Sequence, residues 1–184
     1  MLRLFPIILT FLLFSQSSIA QKEDTIEINS SQEIAIESDS SRQARMLQYI
    51  ESLPCKERIP IYKEMNEKST DSLERNELQY KIAACYMNMG SYNHAYAAAK
   101  NVTGELKTKA LKIQAQCVAA TANSCGNSTF ERKCNYVYVA QLMEEAGLDG
   151  SKYRAMGPDG GLSSCIRTTK VFLPCWGVEV IVCE

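Results

Sequence analysis

The chain has 184 residues, with 20 Lys and Arg against 21 Asp and Glu, one His and eight Cys. A balance this close to neutral is too weak to imply nucleic-acid binding, and none is expected; the length suits one domain with a small appendage. The charge is unevenly spread. Residues 21–41 carry six acids against Lys22 alone, about −5, which leaves about +3 on residues 42–184.

Residues 1–20 read as a secretory signal. Arg3 is the positive flank, Phe5 to Phe14 is an apolar run too short to span a membrane, and Ser18-Ile19-Ala20 offers the small residues of a cleavage site. The expected mature protein is exported, periplasmic or secreted, with no membrane span after signal cleavage. Every cysteine falls after this segment, and an even count in an oxidising compartment implies disulfides. No Cys-x-x-Cys pair and no second histidine are present, so neither a metal nor another cofactor is expected.

Residues 21–41 are rich in Ser, Glu and Asp and lack aromatics, which reads as a mobile acidic leader. A helix capped by Ser41 is expected over 42–53, ended by Pro54. A second starts with Pro60 in its first turn and runs through Met65. Asp71 or Ser72 starts a long helix in which Leu78, Ile82, Ala83, Tyr86 and Met89 share one face. Gly90 supplies the left-handed residue that ends it, and Ser91 caps the next helix, 91–101, whose stripe is Tyr92, Ala95, Tyr96 and Ala99.

Further helices are expected over 105–124 and 129–146, the second capped by Ser128 and ended by Gly147, with Phe130, Cys134, Val137, Ala140, Gln141 and Met143 on its packed side. Turn formers dominate after Gly147. The β-branched runs 165–172 and 176–183, separated by Leu173-Pro174-Cys175, read as an antiparallel hairpin. In that register Phe172 faces Trp176, and Cys165 faces Cys183. Directly opposed α-carbons lie within disulfide reach, so a Cys165–Cys183 bridge is expected.

The order Ile82, Ala83, Tyr86, Gly90, Tyr92, Ala95 resembles a tetratricopeptide repeat: large and small apolar residues in helix A, an aromatic, Gly-x-Tyr at the turn, then Ala in helix B. Gln79 stands where the family carries a large aromatic. A second unit would place Gln114, Ala115 and Val118 in its helix A. Residues 124–133 and the Trp176-containing tail are similar to parts of some secreted bacterial proteins of this class. The resemblance implies a mainly α fold, an α-α superhelix of helical hairpins over 42–147, closed by a Gly-rich turn and a small C-terminal β-hairpin over 148–184.

It also implies a peptide or protein partner on the face lined by the A helices. By register that face offers Tyr80, Met87 and Asn88 from the first and Lys109, Lys112 and Gln116 from the second. Tyr80 and Met87 suit apolar side chains, and the two lysines suit carboxylates. No nucleophile elbow, phosphate loop or paired carboxylate motif is present, and His94 sits within a helix, so no catalytic residues are expected. The expected role is an exported protein–protein interaction module. The alternative is a disulfide-stapled effector or inhibitor acting through its hairpin.

Overall fold

The computed structural model describes residues 41–158, except 43, and residues 167–183. The expected signal segment and acidic leader lie outside them, as does Cys165. The order is α1 (41–52, residue 43 aside, so that Ser41 lies within the helix it was expected to cap), α2 (Cys55–Lys68), α3 (Ser72–Asn88), α4 (Tyr92–Lys100), α5 (Lys107–Thr121), α6 (Thr129–Glu145), the single turn α7 (Ser151–Arg154), β1 (Thr168–Leu173) and β2 (Val178–Cys183). The fold is mainly helical, and the two strands form one antiparallel sheet. From α2 to α6 each helix packs on its neighbour in sequence, and α3 also meets α5. Among the described residues no helix is long and apolar enough to cross a membrane.

Local chemistry accounts for most helix ends. The Asp71 carboxylate accepts from Leu73 N–H at 2.9 Å, and Ser128 Oγ accepts from Glu131 N–H at 3.1 Å. Glu131 also reaches back, its carboxylate accepting from Asn127 N–H at 2.6 Å. Gly90 and Gly147 both take φ +71°, and the next residues donate to Tyr86 and Met143 carbonyls at 2.9 Å. Ser91 precedes α4 but its hydroxyl caps nothing; it lies 3.3 Å from His94 Nδ1.

Besides the Ser41 and Ser91 caps, four expectations require correction. Helix α2 starts at Cys55, one turn before the expected start, and runs to Lys68, so Pro60 lies inside it. The Pro54 carbonyl accepts from Glu57 and Arg58 N–H at 2.9 and 3.1 Å, so Pro54 opens α2 as well as closing α1. On α6, Phe130 is exposed, and Asn135, Val139 and Leu142 take buried places that the expected stripe omitted. The turn α7 follows Gly147. Gly150 precedes it because a β-carbon there would lie 2.6 Å from the Ala140 carbonyl oxygen.

The fourth correction is the hairpin register. Leu173 faces Val178, Phe172 faces Glu179 and Thr168 faces Cys183. The connection is four residues, 174–177, and Trp176 belongs to it. Two long-range contacts hold the turn: Cys175 is disulfide-bonded to Cys125, and Trp176 Nε1 donates to Asn135 Oδ1 at 3.0 Å. Gly177, at φ +63°, returns the chain to the ladder. Direct opposition therefore does not support the Cys165–Cys183 pair. Cys183 is disulfide-bonded, and Cys165 lies outside the described residues.

The hairpin shares the helical core. Leu173, Trp176, Val180 and Val182 are buried in one cluster with Val137, Val139 and Leu142 of α6. Tyr96 of α4 packs on Trp176 with ring centroids 4.7 Å apart and shares a hydrogen bond with Tyr138 at 2.5 Å. Asn135 is fully buried. Its amide nitrogen donates to the carbonyl of Cys125 at 2.8 Å, with the Glu131 and Arg132 carbonyls at 3.2 Å.

Replacing Asn135 by Ala strands the Trp176 indole N–H and the Cys125 carbonyl in the core. The expected cost is about 3 kcal/mol, the range for a broken buried network. Urea unfolding measures it, and a loss under about 1 kcal/mol would contradict the assigned role. Non-reducing peptide mapping should recover Cys125 joined to Cys175, with Cys55 alkylated.

Candidate functional site

The candidate site is a cleft of about 300 Å³ where α1 and α2 meet α3. Tyr80, Ala84 and Asn88 lie on one face of α3 because they are four residues apart. Arg58 and Tyr62 come from α2 by the same spacing, and Glu51 from α1. Lys81 is held between Glu51 and Glu77, each at 3.1 Å, with its ammonium 5.8 Å from the Tyr62 ring centre. That cation is already spent.

Arg58 is differently placed. Its Nη2 makes a long contact, 3.5 Å, to Cys55 Sγ, the guanidinium has the Tyr62 side chain as a hydrogen-bond partner, and its buried Nε has no partner among the described residues. The Tyr62 hydroxyl and the Cys55 and Cys85 thiols surround the guanidinium. A guanidinium keeps its charge at any physiological pH and offers a planar fork suited to a carboxylate. A buried N–H without a partner costs free energy that an incoming acceptor recovers.

The structure brings together part of the expected set. Tyr80 and Asn88 line the cleft. Met87 is half-buried toward α5, its Sδ 3.6 Å from Cys117 Sγ. Lys109, Lys112 and Gln116 form an exposed stripe on α5, without a hydrogen bond or ion pair among the described residues, and none lines the cleft. Sequence reasoning missed Arg58 and Tyr62. Their signal is the four-residue spacing on a helix that starts one turn earlier than expected.

His94 stacks on Tyr86 at 5.1 Å, on a different face of α3 from Tyr80. No group of three His, Cys, Asp or Glu among the described residues could hold a metal. Cys85 adjoins Cys55 across α2 and α3, and burial, reinforced by the Cys55 contact, pushes its thiol up to about 12. Burial does the same to Cys117. Set against protein-family models, curated proteins and solved structures, the chain matches none.

Two outcomes follow for the thiols. Iodoacetamide at pH 8 should label Cys55 readily, and Cys85 and Cys117 only after unfolding. A pKa raised from 9.0 to about 12 cuts the thiolate fraction about a thousandfold. Labelling of Cys117 at its unfolded rate would contradict its placement. Stability should be unaffected by these groups below pH 9. It should fall as pH rises from 9 toward 12, because the unfolded chain loses protons that the folded chain keeps. Urea midpoints at pH 7.5 and 10.5 test the sign.

Proposed function

We propose that the protein is an exported, tetratricopeptide-repeat-like interaction module that holds an acidic, extended peptide segment of a partner protein. The carrying observation is the Arg58 guanidinium, whose Nε lacks a partner among the described residues and lies in the cleft with Tyr80 and Asn88. A carboxylate of the peptide meets Arg58. An apolar side chain lies on Tyr80, and the Asn88 carboxamide serves the peptide backbone. Lys109 and Lys112, on the helix that packs beside α3, attract further acids. Binding of this kind requires no catalytic group and no cofactor.

A second reading has its own support. Phe172 and Ile181 are 58 % and 56 % exposed on the hairpin, more than large apolar side chains on a purely structural cap require. An effector or inhibitor would press this face against its target.

Selection of random linear peptides on the folded protein tests the first reading. Recovered sequences should be rich in Asp and Glu. Arg58→Gln should weaken the best of them at least about tenfold, the scale of one charge-assisted hydrogen bond. Lys109→Glu with Lys112→Glu should weaken them and reduce their salt dependence. Acid-poor peptides that bind all variants equally would remove the site from this cleft. Loss on Phe172→Ser with Ile181→Ser alone would favour the hairpin.

A further inference from the structure

A second cavity, about 270 Å³, lies where the end of α4 and the loop after it meet α5 and α6. Lys107, Leu111 and Gln114 line it from α5. At about 100° per residue, this face is opposite the one carrying Lys109, Lys112 and Gln116. The cavity is therefore independent of the proposed peptide site.

Its chemistry is that of a small ligand site. Gln114 is 7 % exposed, and its carboxamide makes no hydrogen bond among the described residues. Its amide atoms are not among the buried atoms left without a partner, so they open to the cavity, where they offer two donors and an acceptor to a ligand. Lys107 is paired with Glu145 at 2.8 Å, so its charge is answered. Lys100 makes no ion pair among the described residues and is the net cation of the lining. Val102, Leu111 and Leu142 supply an apolar wall. A few polar groups converging beside aliphatic walls is the usual make-up of a small-molecule pocket.

We propose that this cavity binds a small aliphatic monocarboxylate. Its carboxylate meets the Lys100 ammonium and accepts from the Gln114 carboxamide, and its alkyl chain lies on Val102, Leu111 and Leu142. The single uncompensated charge selects a monoanion, and the volume limits the ligand to a short chain.

The experiment is a nitrogen–proton NMR titration of the full mature chain with 4-methylpentanoate, and with 4-methylpentanamide as its uncharged match. The acid should shift the amides of Leu111, Gln114 and Leu142 saturably, with a Kd on the order of 1 mM. The amide should bind at least about tenfold more weakly, as one lost ionic hydrogen bond requires. Lys100→Met should reproduce that loss in a folded protein, whereas Lys133→Met, on an exposed part of α6 outside the lining, should not. No saturable shift, equal binding of acid and amide, or equal loss in both variants would overturn the proposal.

Discussion

The buried carboxamide of Asn135 is the contact on which the C-terminal half depends. Asparagine is a poor residue for the middle of a helix because its amide competes for backbone partners. Here that tendency is used. The amide nitrogen takes the Cys125 carbonyl, and the amide oxygen takes the Trp176 indole N–H. One side chain thus joins α6, the bend before it and the hairpin turn. The Cys125–Cys175 bridge spans the same gap, 50 residues apart in sequence. The hydrogen bonds set orientation, and the covalent link limits how far the turn separates in the unfolded chain.

The hairpin answers a packing problem. From α2 to α6 each helix packs on its neighbour in sequence, and α6 is the last long helix among the described residues. The hairpin packs on α6, its Leu173, Trp176, Val180 and Val182 join the same buried cluster, and Tyr96 reaches the Trp176 indole from α4. A two-stranded ribbon is marginal alone. Its stability comes from this shared core, so the sheet and the helices stand or fall together.

Helices α3 and α5 each serve two surroundings. On α3 one face lines the Arg58 cleft, while Ile82 and Tyr86 face the α4 side near His94. On α5 one face carries the lysine stripe and the other Gln114. Both candidate sites share one physical feature: a donor with capacity left over among the described residues, Nε of Arg58 in one and the carboxamide of Gln114 in the other. Lys81 and Lys107, by contrast, are already matched by carboxylates, so each cavity is left with one cation to answer.

Several elements were legible in the sequence because their causes lie within a few residues. Asp71, Gly90, Ser128 and Gly147 set helix ends through bonds to the adjacent turn, and the β-branched runs marked the strands. Tyr80 and Asn88 shared a face by helical period alone. Other features were settled only in three dimensions. Pro60 sits inside α2 because Pro54 opens the helix one turn earlier. The hairpin register follows from Trp176 and Cys175 being drawn to Asn135 and Cys125, partners 41 and 50 residues away. Arg58 reaches the cleft only when α2 lies on α3. Period and capping act along the chain, whereas a buried amide, a disulfide and a partly unpaired guanidinium acquire their roles from which helices meet, and no local pattern encodes that.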